Sequence, residues 1–380
     1  MRPRVLVITA LLFVAGIAVL NQRPANAGES NPTSGYKVLE PIRHGNLTIF
    51  PVVAAKTYST GEFLTLDEGL RSGEVIVTEA GSVQGLVRRH GAPIVHDGAQ
   101  VNRLVLVNNS KRPLLLLAGE IVSGGKQDRV IGKDRIVPAE SDPIDLSVFC
   151  VEHGRWVATT DRFGASQALY GNAAGVTAAN APPPMALMVQ PSVRAKAMAD
   201  KNQQEVWDEV SKQKTEMVVV AGAAPQVQNE LAQVSSYAKV NENEDVRKYV
   251  DSVAKPMEQS YQSLIHQLRD RNAVGVVVAV NGRIIWADIF ASTDLLSKYW
   301  PKLVRSYASE AVVTRAKQME VTPKQADAFL ADMEGRKEMI ESEPGIYRHT
   351  EVTGDGFKAF AITSLLPKTG FDLHVAKMAD

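Results

Sequence analysis

The sequence predicts an α+β chain, with an antiparallel β-rich sandwich or barrel-like first half followed by helices packed around a β-hairpin. Three observations point there. Up to about Arg162 the apolar runs are short and separated by Gly, Pro or Asn-Asn-Ser breaks, a spacing that suits antiparallel strands rather than βαβ units. From Asp245 to Arg269 apolar residues recur at steps of three and four, which makes one helical face. Asn281-Gly282 lies between two β-rich runs, and that dipeptide calls for a type I′ hairpin turn.

In chain order, the first segment reads as a leader. Arg2 and Arg4 make a basic start, Val5 to Leu20 is apolar throughout, and Ala25-Asn26-Ala27 is a small-x-small cleavage motif. The apolar run also suits an uncleaved anchor. The organisation expected is a signal peptide over 1–27, a linker over 28–40 and a single α+β domain over 41–380. Within that domain 41–162 is β-rich, 163–192 is a loop containing Pro182-Pro183-Pro184, and 193–380 is helical with a hairpin.

Strands are expected at Leu47–Val53, Val75–Thr78, Val83–Val87, Arg103–Val107, Leu114–Leu117, Val130–Val137 and Ile144–Val151. Thr65 to Gly73 reads as a short helix, with a Thr cap, acids in its first turn and a closing glycine. Val193 to Met217 reads as a polar helix with Val206, Trp207 and Val210 inward. The Asp245–Arg269 helix buries Val246, Tyr249, Val250, Val253, Met257, Tyr261, Leu264, Ile265 and Leu268. Val274–Val280 and Arg283–Phe290 flank the Asn-Gly turn. A helix from Thr293 or Asp294 to about Gln318 turns Leu295, Leu296, Tyr299, Trp300, Leu303, Val304 and Tyr307 inward. Thr322-Pro323-Lys324-Gln325 is a capping box with Pro at the first helical position. Phe357–Thr363 and Phe371–Ala376 close the chain as an antiparallel pair.

The chain has 42 basic and 42 acidic residues, and loss of Arg2, Arg4 and Arg23 with the leader leaves 39 against 42. That balance argues against non-specific nucleic-acid binding, which needs a basic excess. The single cysteine, Cys150, excludes an intramolecular disulfide, although the periplasmic or secreted location implied by the leader would permit one. The seven histidines lack metal-site spacing, no Gly-x-Ser-x-Gly elbow occurs, and no cofactor motif is present. After cleavage no membrane association is expected.

Candidate chemistry concentrates between Leu114 and Trp156. The turn Gly124-Gly125-Lys126-Gln127-Asp128-Arg129 offers close backbone approach, two cations for an anionic group and an amide that both donates and accepts. Against this stands a solvated surface turn. Cys150-Val151-Glu152-His153-Gly154-Arg155-Trp156 is the second motif, with His153, Arg155 and Trp156 as ligand contacts and Glu152 as a general acid or base. Cys150 and His153 fall on opposite faces of a strand, so they form no local nucleophilic pair. Glu120 follows an apolar run, where its carboxylate needs a partner; Arg129 or Arg135 is the natural one, and an acid catalyst is the alternative.

Ala118 to Arg129, Ile136-Val137-Pro138, Cys150 to Trp156, Gln204-Glu205-Val206-Trp207 and the Gly275–Phe290 hairpin together resemble the ARG- and rhodanese-phosphatase-associated protein domain. The resemblance runs from about Leu47 to the C-terminus. It implies a role near ADP-ribose or phosphorylated nucleotide metabolism and brings no catalytic residue set. The expected function is an exported protein that binds a small anionic ligand where the two polar motifs meet. The alternatives are a hydrolase using Glu120 or Glu152, and a non-catalytic envelope structural or interaction protein.

Overall fold

The computed structural model describes residues 35–80, 102–154, 156–160, 162–164, 187–222, 224–267, 272–314, 319–343 and 345–380, all in one unit, Pro32–Asp380. The expected strand Val83–Val87 and the expected ligand contact Arg155 lie outside the described residues.

The chain starts with β1 (Tyr36–Val38), β2 (Ile42–His44) and β3 (Leu47–Ala54). β4 (Leu64–Thr65) runs into α1 (Leu66–Ser72), whose ends are as the sequence predicts. The Thr65 side chain accepts from the Glu68 amide, the Glu68 carboxylate accepts from the Thr65 amide at 2.8 Å, and Gly73 closes the helix at φ 72°. Then come β5 (Val75–Glu79), β6 (Arg103–Asn108), β7 (Leu114–Leu116), β8 (Ile121–Val122), β9 (Arg129–Ile131), β10 (Arg135–Val137) and β11 (Ile144–Cys150).

β4, β7 and β10 form one small sheet, and β5, β6, β11, β9 and β8 another. Leu64, Leu114, Leu116 and Val137 of the first share a core with Val77, Leu104, Leu106, Ile131 and Val148 of the second. The single strand expected over Val130–Val137 is two. Gly132, Lys133 and Asp134 interrupt it, and its halves join different sheets.

The next elements are α2 (Pro191–Ala195), a π-helical turn (Lys196–Asp200), α3 (Gln203–Val220), α4 (Pro225–Gln233), α5 (Tyr237–Glu242) and α6 (Glu244–Gln267). The one helix expected from Val193 to Met217 is therefore broken. Lys201 adopts φ 53°, which no helix continues, and the Asn202 side chain caps the new start by accepting from the Gln204 and Glu205 amides. α4 and α5 were not expected. In α6, Val246, Val250, Met257 and Tyr261 are buried, while Tyr249 lies at the margin of the stripe and is exposed.

β12 (Ala273–Val280) and β13 (Arg283–Phe290) form the predicted hairpin, with Asn281 at φ 52° and Gly282 at φ 73°. α7 (Thr293–Val313), α8 (Pro323–Ala331), β14 (Arg336–Glu343), β15 (Tyr347–Gly354), β16 (Phe357–Ser364) and β17 (Asp372–Ala379) complete the fold. The main sheet runs β1-β3-β12-β13-β17-β16-β15-β14, with β2 also on β3, and its pairings are antiparallel.

β12 reads Ala-Val-Gly-Val-Val-Val-Ala-Val without alternation because both its faces are covered. Val276, Val278 and Val280 pack with α6 and α7. Val274, Val277 and Ala279 pack on the side that holds Ala326 and Leu330 of α8. All seven residues expected to face inward from α7 are buried, each side chain contributing about 1.5–3 kcal/mol on leaving water. The β14–β15 hairpin was not anticipated, since Arg336-Lys337-Glu338 carries no apolar alternation. β14 is an edge strand, where charge is the usual dress. No described helix is long and apolar enough to cross a membrane.

Candidate functional site

The two polar motifs meet. Gln127 Nε2 donates to the Glu152 carbonyl at 3.0 Å, and the Asp128 amide donates to Glu152 Oε2 at 3.0 Å. Lys126 Nζ stands 5.0 Å from the centroid of the exposed Trp156 ring, and the Arg129 guanidinium carbon lies 5.9 Å from the same centroid. His153 is exposed and meets Trp207 edge-on, with centroids 4.5 Å apart.

The turn amides look inward. Gly124 donates to Asp128 Oδ1 (3.1 Å), Gly125 to Thr160 Oγ1 (3.1 Å) and Lys126 to Glu79 Oε1 (2.7 Å). Gly125 has φ 49°, and a Cβ there would lie 2.3 Å from Cζ of Phe163. The glycine pair thus admits a phenyl ring and a carboxylate of the protein itself, and what the turn offers outward is the Lys126 ammonium over indole. The Cys150 thiol is buried and burial pushes its pKa up, which disfavours the thiolate.

Glu120 and Glu152 are both buried. The partner of Glu120 is neither Arg129 nor Arg135. Lys302, reaching across from α7, places Nζ 2.6 Å from Glu120 Oε1 and also pairs with Asp67, while Glu120 Oε2 accepts from the Leu117 amide at 2.7 Å. Arg135 pairs instead with Glu343. Burial, reinforced by the Asp67 charge, raises the Glu120 carboxyl pKa against the pull of Lys302. Burial works to deprotonate Lys302, but two carboxylates hold its pKa above the ordinary value.

A second buried chain went unseen in the sequence. His374 Nδ1 lies 2.6 Å from Asp134 Oδ2 and its Nε2 lies 3.0 Å from Asp288 Oδ1; Arg194 Nη1 donates to Asp288 Oδ2 at 2.8 Å, and the Tyr307 hydroxyl donates to the same oxygen. Burial opposes the imidazolium, yet the two aspartates raise the His374 pKa. Burial also opposes the Asp288 carboxylate, but Arg194 and His374 lower its pKa well below the ordinary range. No local pattern announces this chain, because its members come from β13, β17, α2, α7 and the β9–β10 loop.

Beside that loop opens a cleft of about 400 Å³. Gly132 and Lys133 line it from the loop, Phe149 from β11, Lys201 from the end of the π-helical turn, and His349, Glu351 and Phe360 from the main sheet. Lys201, in the left-handed region, pairs with Glu351 at 2.7 Å. A non-glycine residue held at positive φ next to a π-helical turn is strain of the kind found at functional sites. Buried His349 has Nδ1 3.7 Å from Glu351 Oε1, and its Nε2 has no hydrogen-bond partner among the described residues. Burial lowers the His349 pKa, so the ring is neutral at pH 7.

Lys133 is half-buried and makes no ion pair or hydrogen bond among the described residues; burial first, then the nearby Arg135 charge, lowers its pKa. The glycine inside an apparent strand, followed by Lys-Asp-Arg, was the sequence signal for this loop. Lys201 and His349 had none. Among the described residues no group of three or more His, Cys, Asp or Glu side chains is placed to hold a metal ion.

No curated protein and no solved structure matches the chain. One family model does, over residues 35–376, nearly the whole length. The chain belongs to the ARG and Rhodanese-Phosphatase-superfamily-associated Protein domain family.

Proposed function

We propose that this is an exported protein that binds a small anionic molecule in the cleft lined by Lys133, Lys201 and His349. One observation carries the reading: the Lys133 ammonium is partly withdrawn from water and makes no direct ion pair among the described residues, Glu343 and Glu351 acting on it only from longer range, an arrangement that an anion relieves. His349 lines the same cleft. The leader over 1–27 supports export. The Lys126–Trp156 pair supports a second location for the same ligand, because its cation and aromatic face reach solvent. Hydrolysis by Glu120 finds less support: the cavity lined by Lys302, its ion partner, measures about 20 Å³, room for one water at most.

The test is a calorimetric and thermal-shift panel of nucleotides, ADP-ribose and sugar phosphates on the mature protein, with Lys133→Ala and Lys126→Ala beside wild type. The expected result is binding that Lys133→Ala weakens at least tenfold and Lys126→Ala leaves within twofold. The reverse ranking moves the site to the Trp156 motif, and no binding by any anion refutes the reading.

A further inference from the structure

Resting on that reading, the shape of the cleft says more about its ligand. We infer that the ligand joins its acidic group to a flat aromatic body, with the acid on Lys133 and the ring against the wall formed by Phe149 and Phe360. Size is the first argument. A water occupies roughly 30 Å³ of liquid, so a bare inorganic anion fills only a small part of a cleft of about 400 Å³, a volume in the range of organic-ligand pockets.

Chemistry is the second argument. The cations, His349 and Glu351 share the cleft with Val148, Phe149, Met198 and Phe360, and the partly exposed Phe149 ring leaves an apolar body a surface to cover once the anion is seated.

The third argument is the placement of Phe149. A Cβ on Gly132 would come 2.7 Å from its Cε2, so the absence of a side chain at 132 lets the phenyl ring lie against the loop that carries Lys133. Phe149 and the loop that carries Lys133 are thereby adjacent in the fold. Lys201 is already engaged by Glu351, which leaves Lys133 as the cation for the ligand. His349 lies beside the aromatic wall, its ring centroid 6.1 Å from that of Phe360.

The experiment compares ligands of equal charge: phenyl phosphate against methyl phosphate and benzoate against acetate, each titrated into the full mature chain by calorimetry. In at least one pair the aromatic member is expected to bind tenfold or more tightly, and Phe149→Ala is expected to narrow that ratio to threefold or less. Equal affinities within both pairs in wild type overturn the inference while leaving anion binding standing. Absence of binding by all four overturns the inference and the proposed function together. A preference that persists unchanged in a folded Phe149→Ala protein places the ring elsewhere and also overturns it; should that variant not fold, the wild-type ratios decide alone.

Discussion

Replacing Lys302 with Met should be among the most damaging single changes in the interior. Its ammonium is buried, 2.6 Å from Glu120 and paired also with Asp67, so Met leaves two carboxylates facing one another out of water. Removing one partner of a buried pair costs about 3–5 kcal/mol, and here the loss falls on two acids at once. They respond by taking up a proton. The cost of Lys302→Met is therefore expected to be largest near pH 8 and to shrink as pH falls toward 5.

Glu120→Gln is the counterpart, since it removes the carboxyl whose pKa burial has already raised. The Lys302–Asp67 pair stays balanced and the cost is about 1 kcal/mol, one hydrogen bond. The sign of its pH dependence follows from linkage. A carboxyl with a folded-state pKa above the unfolded value of 4.5 binds more protons folded than unfolded, so its contribution falls as pH rises through the interval between the two. The gap between wild type and Glu120→Gln should narrow as pH rises. Urea unfolding of the three proteins from pH 5 to 8 measures all of this. A Lys302→Met cost below about 1 kcal/mol at pH 7.5, or one independent of pH, would refute the claim that the triad is an interior ion cluster.

Two further outcomes are expected. His374→Gln should destabilise by about 3 kcal/mol, because it removes the cationic partner of buried Asp134, which keeps only the Ala118 amide, and one of the partners of Asp288. Since the folded His374 pKa lies above 6.5, its contribution is fully present below pH 6.5 and is lost as pH rises through the folded value, so the cost should be greatest at acid pH in unfolding titrations. Gly125→Ala should cost about 1–3 kcal/mol more than Gly73→Ala by the same assay. Both glycines have positive φ, but only at Gly125 would the new methyl strike a ring.

What could be read from the sequence was local. The α1 capping box, the Thr322 capping box, the Asn281-Gly282 turn and the inward stripe of α7 each depend on residues within a few positions of one another. Backbone and solvent alone decide such features. The α+β class follows from them; the family resemblance rests on other short motifs, Ala118 to Arg129 and Cys150 to Trp156 among them.

The interior charges were not legible, for the converse reason. Lys302 lies 182 residues from Glu120 and stands in the sequence as an ordinary polar position between Pro301 and Leu303. His374 sits in Leu373-His374-Val375, where apolar residues flank a polar one as on a half-buried strand, although both faces of β17 are in fact covered. For Glu120 the sequence offered only near neighbours, Arg129 and Arg135, and three-dimensional packing chose neither. Gly132 lay in plain view, yet the expected strand over Val130–Val137 ran straight through it. A glycine within an apolar run is equally compatible with a break or a bulge, and only the pairing of β9 and β10 with different sheets distinguishes the two.

That break ties the unseen charges to the cleft. Of three successive side chains, Lys133 turns to the cleft, Asp134 turns into the core, and Arg135 turns to Glu343 on the edge strand. Asp134 accepts from the Ala118 amide at 2.8 Å and from the imidazole of His374, itself held by Asp288, so the backbone on either side of it has little freedom. A lysine on a free loop gives up conformational freedom when it grips an anion; one whose backbone is already clamped gives up less, and affinity rises accordingly. On the proposed function, the costly burial of Asp134, His374, Asp288 and Arg194 would serve to place one ammonium. His374→Gln should therefore weaken anion binding at Lys133 even at low temperature, where the variant remains folded. Unaltered affinity in that folded variant would separate the buried chain from the site.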